Sequence, residues 1–240
     1  MSGLIFDGHS FDELFIYGDP KISILSSDVK YARSDNRNGS IVIGRPWSNS
    51  TVSFTIVATG AADERRNAFS TLGMWLNVDE PKKLVLPDTP DRYYMAIPSG
   101  SLDLQRYIEA ETASVTFDIV DPIAYGREVT VTVPSGGSVT FNVGGTYKTK
   151  PRIESSAVRD STALVWSLKL DNLDHIHVAT GSADATTVKL DCDERTCKVG
   201  NQVSMITLDS DWLELEPGTH TLVMDYGTGA ATVTFNERWL

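Results

Sequence analysis

The residues whose type and spacing could bind a metal are few. His175 and His177 alternate along a predicted strand, so they lie on one face and form a possible two-ligand metal arm, with Asp171 and Asp174 nearby. A metal site needs a full first shell of ligands, and the sequence names no third one. We therefore expect solvent-facing histidines and no bound metal.

Cys192 and Cys197 are the only cysteines of the chain, and four residues separate them. A zinc site needs further ligands, and no second cysteine pair exists to supply them. The pattern predicts a short hairpin with small apolar residues at its strand ends. If the two thiols face each other across the turn, a disulfide could form outside the cell.

Carboxylates occur in close pairs. The pairs are Asp88 with Asp91, Asp191 with Asp193, Asp209 with Asp211, and Glu214 with Glu216. Two carboxylates can hydrolyse glycosidic bonds when a cleft holds them at a fixed separation, but pairs this close in loops of an acidic protein are mostly solvated. The chain also has no nucleophile elbow, phosphate loop, dinucleotide-binding glycine pattern or zincin helix. We predict no catalytic residues, no cofactor and no enzymatic activity.

Three tryptophans in the second half of the chain allow two interpretations. Trp166, Trp212 and Trp239 could present their rings to the apolar faces of a sugar. They could equally fill the core of a β-sandwich, which needs large side chains. The two differ in whether Trp166 or Trp212 is exposed beside polar groups or packed inside.

The charge of the chain disfavours nucleic-acid binding. Its 21 basic and 32 acidic residues give a net charge of −11, whereas binding to phosphates requires a basic surface. No apolar run approaches the ~20 residues of a membrane span. The first seven residues have no basic start, so we do not expect a secretory signal or a membrane partner.

Alternation of apolar and polar residues dominates the chain and predicts a mainly β protein. One helix is predicted over residues 61–76, where Ala62, Phe69, Leu72, Trp75 and Leu76 form one stripe. Residues before 127 combine predicted strands with this helix, whereas residues after 127 contain only predicted strands and turns. We therefore predict two domains. Residues 1–127 form an α+β domain and residues 128–240 a β-sandwich or jelly roll.

Two turns bracket a predicted protruding hairpin in the first domain. Residues 34–40 and 45–50 are rich in Asn, Gly and Ser, and the short strand Ile41 to Gly44 lies between them. Such an arm has few core partners, and unpaired strand edges invite pairing with another chain. The arm therefore indicates a protein that assembles with a partner.

Landmarks along residues 3–127 resemble one family. The order includes an opening Gly-Leu-Ile-Phe-Asp-Gly-His-Ser, a strand at residues 53–57 before the helix, Asp-Thr-Pro-Asp-Arg-Tyr-Tyr at residues 88–94, and Asp-Pro-Ile-Ala-Tyr at residues 121–125. This pattern resembles the distal tail proteins of long, non-contractile-tailed phages that infect Gram-positive bacteria. The second half, with residues 145–153, 215–218 and 238–240, is similar to the galectin-like sandwich of that family.

The resemblance implies a structural role at the tail tip of a virion that is assembled in the host bacterial cytoplasm. It implies a hexameric ring of self-assembled subunits that joins the tail tube protein to the tail-associated lysin or fibre protein. The second domain would point outward and carry receptor-binding proteins or contact host saccharide. Interface candidates are Ile41, Val42, Ile43 and Trp47 in the hairpin, with Tyr93 and Tyr94 as packing anchors.

A second hypothesis is a carbohydrate-binding module. In it the C-terminal sandwich recognises a saccharide of the host cell surface through Trp166 or Trp212. The family resemblance assigns no role to Cys192 and Cys197.

Overall fold

The structure of the protein is a computed structural model, which describes residues 3–23, 27–33, 38–107, 109–156, 165–171, 173–180, 187–227 and 229–240. The chain separates into two compact units, Met1–Ala124 and Tyr125–Leu240. The division falls inside the stretch 121–127, where the composition changes. Of the turn predicted at residues 34–40, residues 34–37 lie outside the described residues.

The first unit combines strands with the predicted helix. Its elements are β1 (Ile5–Phe6), β2 (His9–Ser10), a 3-10 helix (Phe11–Glu13), β3 (Ile16–Tyr17), β4 (Lys21–Ile22), β5 (Lys30–Arg33), β6 (Ser40–Gly44), β7 (Ser50–Thr59), α1 (Ala62–Leu76), β8 (Lys82–Val85), β9 (Tyr94–Ser99), β10 (Leu104–Arg106) and β11 (Ala110–Ile119). Nine of these strands form one sheet in the order β2-β1-β8-β9-β11-β7-β3, with β10 beside β11 and β4 beside β7.

Two long strands form the centre of this sheet. β7 and β11 run antiparallel over ten residue pairs, so that Phe54 lies opposite Val115. Every second residue of β7 is buried, as the alternation predicted. Phe69 and Leu72 of α1 pack into the same core, with Trp75 and Leu76 partly buried against it, which confirms the predicted helix and these four positions of its stripe. Ala62 is exposed, so the stripe prediction is wrong at that position.

The start of α1 is held by polar contacts. The Glu64 carboxylate accepts a hydrogen bond from the Ala61 N–H at 2.8 Å, which satisfies one of the unpaired donors of the first turn. Arg65 is almost buried, and its Nε lies 3.7 Å from Glu111 Oε1 on β11. The ion pair fixes the helix against the sheet.

The second unit is a β-sandwich. Its strands are β12 (Ala124–Val133), β13 (Ser138–Val143), β14 (Arg152–Ser156), β15 (Val165–Leu170), β16 (Asp174–Ala179), β17 (Thr187–Asp191), β18 (Thr196–Val199), β19 (Gln202–Ser204), β20 (Gly218–Tyr226) and β21 (Ala231–Trp239). One sheet has the order β12-β21-β14-β17-β18-β19 and the other β13-β20-β15-β16. Apolar side chains of both sheets form one core, among them Ile153, Leu168 and Val233.

The predicted fold class is confirmed: a mainly β chain with an α+β unit followed by a sandwich. Among the described residues α1 is the only α-helix, and no helix there is long and apolar enough to cross a membrane.

Candidate assembly surface and other candidate sites

The predicted arm is a hairpin of β5 and β6 that forms a two-stranded sheet of its own. Arg33 pairs with Ser40, Ala32 with Ile41 and Tyr31 with Val42, and a bulge follows at Lys30. Within the part of the chain that the structure describes, neither strand pairs with the nine-stranded sheet. A two-stranded hairpin alone is marginally stable in water, so a partner would stabilise it.

Both faces of this hairpin expose apolar side chains. Tyr31 and Val42 lie opposite each other and share one face, with exposed fractions of 61% and 58%. Ile41 alternates with Val42 and therefore occupies the other face, with an exposed fraction of 41%. Ile43 is the extra residue of the bulge, between the pairs Tyr31–Val42 and Lys30–Gly44, and is 66% exposed. Such a concentration of exposed apolar surface on one arm is typical of an interaction site.

The base of the hairpin is fastened by hydrogen bonds. The Asp28 N–H donates to the Pro46 carbonyl at 3.0 Å, and Arg45 Nε donates to Ser27 Oγ at 2.9 Å. Ser27 and Trp47 form an isolated antiparallel bridge, and Trp47 is 38% exposed. The base thus orients the arm while its apolar residues stay accessible.

Tyr31 was not among the residues predicted from the sequence. No clear alternation marks it, because Lys30–Arg33 reads Lys-Tyr-Ala-Arg immediately before the first turn. The predicted arm comprised only the strand after that turn, whereas pairing across the hairpin brings Tyr31 onto the face of Val42.

The two predicted anchor tyrosines contact their own unit. Tyr94 on β9 lies opposite Leu84 on β8 and packs against the core, and this burial raises the pKa of its hydroxyl. The ring of Tyr93 lies under the Lys83 ammonium, 4.4 Å from ring centroid to Nζ. Both are partly exposed, and their role in an interface stays a prediction.

Trp166 does not have the exposure that saccharide binding requires. Its side chain is 0% exposed in the core between the two sheets, so no ring face is available to a sugar. The prediction of a carbohydrate contact at Trp166 is wrong, because a sandwich core needs a side chain of this volume. Trp212 is half-buried and packs against the same core, and its saccharide role stays a prediction.

A groove of about 580 Å³ runs over the six-stranded sheet. Charged side chains dominate it, with ion pairs between Lys189 and Glu154 at 2.7 Å and between Arg152 and Glu128 at 3.3 Å. None of its lining residues is aromatic. The groove therefore offers no ring on which a sugar could stack.

His175 and His177 lie together on β16, and the chain brings Asp209 to them. Asp209 Oδ2 is 3.4 Å from His177 Nδ1 and 3.8 Å from His175 Nε2. Asp171 and Asp174 are the carboxylates nearest to the histidines in sequence, and the sequence names no third ligand. Asp171 in fact contacts His220, with 2.6 Å between its Oδ2 and Nδ1. No local pattern marks Asp209, because it is more than thirty positions from the two histidines.

The cysteines lie in the predicted hairpin, now formed by β17 and β18. Cys197 is opposite Leu190, and both cysteines are buried free thiols. Burial raises the pKa of the Cys192 thiol to about 12. Both thiols are thus part of the core.

Several of the paired carboxylates stabilise loops. Asp191 accepts hydrogen bonds from the N–H groups of Asp193 and Glu194 at 2.9 and 3.0 Å and so closes the turn after β17. Glu214 forms an ion pair with Lys148. Asp91 lies 3.4 Å from the Arg92 guanidinium.

Comparison with known proteins agrees with this architecture. The family model of the phage tail protein RIFT-related domain matches residues 10–119. The family model of the siphovirus-type tail component, C-terminal domain, matches residues 144–239. The curated distal tail protein of Bacillus phage SPP1 is 22% identical over 246 aligned positions, which cover 99% of this chain and 95% of that protein.

One solved structure shows the same fold over the whole chain. The crystal structure of SPP1 Dit, described as a paradigm of the hub adsorption apparatus in phages infecting Gram-positive bacteria, aligns over 99% of both chains with a TM-score of 0.79 and 18% identity. A chain of the phage p2 baseplate in its activated conformation with Sr is 9% identical, with a TM-score of 0.47 over 92% of this chain and 90% of that one. At that score the likeness is too remote to support a conclusion.

The two matched domains, in this order over most of the chain, define a structural component of a phage tail. The chain belongs to the siphophage distal tail protein family.

Proposed function

We propose that this protein is the hub subunit of the tail tip and that its copies close into a hexameric ring. The β5–β6 hairpin of one copy contacts the next copy. The observation that carries the proposal is the hairpin itself, which exposes apolar side chains on both faces and whose two edges pair with no other described strand.

The energetics favour burial of this arm on a neighbour. Full burial of an aliphatic side chain contributes about 1.5–3 kcal/mol relative to exposure. Tyr31, Ile41, Val42 and Ile43 are each more than two-fifths exposed, so their joint burial contributes several kcal/mol to each contact. Repeating that contact around the ring stabilises the closed assembly.

The geometry of such a contact is heterologous. The hairpin is one patch, and the surface that receives it on the neighbour is a different patch, so successive copies form a ring when the rotation closes. The ring would connect the tail tube protein on one side to the tail-associated fibre or lysin protein on the other. The second unit, a sandwich of galectin-like type in this proposal, would carry receptor-binding proteins.

The remaining parts of the proposal follow from the same role. The protein would reside in the virion, at the tail tip, after assembly in the host bacterial cytoplasm. It would act by binding and not by catalysis, and its net charge of −11 disfavours contact with nucleic acid.

The test is the solution mass by light scattering after size exclusion at two concentrations, with negative-stain imaging of the peak. We expect rings for the wild type and monomers for Ile43→Asp, because a carboxylate cannot be buried unpaired in the contact. Val203→Asp is the matched control, since Val203 is an exposed β-branched residue on β19 of the other unit. Rings of Ile43→Asp, or a wild type that stays monomeric at high concentration, would contradict the proposal.

A further inference from the structure

The outer face of β16 presents two imidazoles side by side. Ile176 and Val178 point into the sandwich core and are 0% exposed, so the alternating residues His175 and His177 point away from it. Their ring centroids are 4.6 Å apart. Among the described strands β16 is the last of its sheet, and this pair of rings therefore lies at an edge that another segment can approach.

Residues 206–211 cover that edge and are held to it by hydrogen bonds. The Thr207 N–H donates to the His177 carbonyl at 3.0 Å, and the Asp211 N–H donates to the His175 carbonyl at 2.9 Å. Ser210 Oγ accepts a bond from the His177 N–H at 2.8 Å. Asp209 is at the centre of this arch, so its position opposite the two rings is determined by the fold.

The three side chains have the spacing of metal ligands. All three ligating atoms lie within 4.8 Å of one another, and the His177–Asp209 separation is 3.4 Å. Ligand atoms around a tetrahedral zinc ion, at bond lengths of about 2.0–2.2 Å, are roughly 3.4 Å apart. The His175–Asp209 separation, 3.8 Å, is slightly longer than this.

A different histidine of the same unit shows what an ordinary pair looks like. His220 Nδ1 is 2.6 Å from Asp171 Oδ2, and its Nε2 is 2.7 Å from the Glu216 carbonyl, so both nitrogens are in direct hydrogen bonds. The contacts of Asp209 with His175 and His177, at 3.8 and 3.4 Å, are longer than a charge-assisted hydrogen bond of about 2.7–2.9 Å. These separations between the carboxylate oxygen and the imidazole nitrogens are the ones expected when an ion lies between them.

The surroundings orient the carboxylate. Thr207 Oγ1 donates to Asp209 Oδ1 at 2.5 Å, and Oδ2 is the oxygen that faces the imidazoles. Hydrogen bonds of this kind fix a ligand and raise its affinity for metal. The histidine side chains are 29% and 24% exposed and that of Asp209 65%, so an ion can enter from solvent.

We propose that His175, His177 and Asp209 bind one divalent transition-metal ion of the zinc class, which fastens residues 207–211 to β16. Two imidazole nitrogens and one carboxylate oxygen favour zinc, cobalt or nickel over calcium and magnesium, which take oxygen ligands. Three protein ligands leave a fourth position for water. This proposal departs from the sequence-based expectation of no metal, because folding supplies the third ligand.

The experiment is a titration of the full chain, without a polyhistidine tag, with Co²⁺ and then competition by Zn²⁺ against a chromophoric chelator. We expect saturation at one ion per chain and the intense visible absorption of four-coordinate Co²⁺. His177→Ala and Asp209→Asn should each weaken binding more than about 10-fold, since even outer-shell changes cost that much. His9→Ala, an exposed histidine of the first unit, should leave it unchanged.

Thermal melting gives an independent readout. Zn²⁺ at about 100 times its dissociation constant should raise the Tm of the wild type by about 5–10 °C. At the same Zn²⁺ concentration the two ligand variants should show a smaller rise in Tm than the wild type. Absence of saturable binding, unchanged binding in both variants, or a sulfur-to-metal charge-transfer band that assigns the ion to the cysteines would overturn the proposal.

Discussion

Tyr31 on β5 lies directly opposite Val42 on β6, and both side chains project from one face of a hairpin that stands apart from the main sheet. Cross-strand pairs of an aromatic and a β-branched residue stabilise a hairpin by up to about 1 kcal/mol. The pair therefore supports the arm before assembly and offers a continuous apolar patch to a neighbour. The other face carries Ile41, and Ile43 is exposed at the bulge, so the arm is suited to insertion between two surfaces.

Replacement of this pair should weaken assembly without unfolding the subunit. Tyr31→Ala and Val42→Ala each remove exposed apolar area, so the free energy of unfolding of the monomer should change by less than about 1 kcal/mol. Sedimentation velocity should show fewer rings for each variant and fewest for the double variant. Equal assembly of the double variant and the wild type would mean that this face is not an interface.

Trp166→Ala should destabilise the second unit by about 3–5 kcal/mol, because it leaves a large cavity between the sheets. Trp212→Ala, at a half-buried position, should lower the free energy of unfolding by less.

Gly227→Ala should also destabilise the second unit, because φ is 134° at this position and a Cβ would lie 2.9 Å from Trp166 Cδ1. Urea unfolding followed by circular dichroism measures all three, and a Trp166→Ala protein as stable as the wild type would contradict the core assignment.

A saccharide role for Trp212 is tested by glycan binding. If the sandwich recognises host saccharide through this ring, Trp212→Ala should abolish binding on a cell-wall glycan array while the thermal transition changes little. Trp212→Phe keeps an aromatic face and should retain part of the binding. Binding that is the same in Trp212→Ala and the wild type would exclude this residue.

Asp171 should make the free energy of unfolding depend on pH. Burial favours a higher pKa for this carboxyl, but the Thr221 N–H and the His220 ring outweigh it, so its pKa lies below the ordinary value. A carboxyl with a lowered pKa in the folded state stabilises the protein above its unfolded pKa of about 3.9, and this contribution is lost as the pH falls through the folded value.

The Tm difference between the wild type and Asp171→Asn should thus be largest near neutral pH and shrink below about pH 4. Asp79→Asn removes the same charge from the exposed loop after α1 and serves as the control. A difference for Asp171→Asn that does not change with pH would contradict the assignment.

The thiols should be unreactive in the folded protein. Because burial raises the pKa of both Cys192 and Cys197, very little thiolate is present at pH 8. Ellman's reagent should react with two thiols per chain at once in urea and only slowly without it. Fewer than two thiols in urea under non-reducing conditions would indicate the disulfide that the hairpin spacing allowed.

The local sequence pattern was sufficient to predict much of the fold of this protein. The alternation in Ser50–Thr59 and the apolar stripe of α1 depend on which residues face one side of an element, and a few neighbouring positions encode that. The change in composition near residue 127 and the order of family motifs likewise lie along the chain and can be read directly. The mainly β class, the helix and the exposed hairpin strand of Ile41, Val42 and Ile43 follow from such signals.

Only the tertiary structure shows the features that arise where segments distant in sequence come together. Trp166 has the same local pattern whether it faces a core or a sugar, and only the packing of the second sheet over it buries the ring. Asp209 reaches His175 and His177 because the chain returns across the edge of β16 after β17, β18 and β19. The side chains of a strand alternate between its two faces every two residues, so the local sequence determines which residues share a face. The residues that each face contacts depend on the register of strands far apart in sequence.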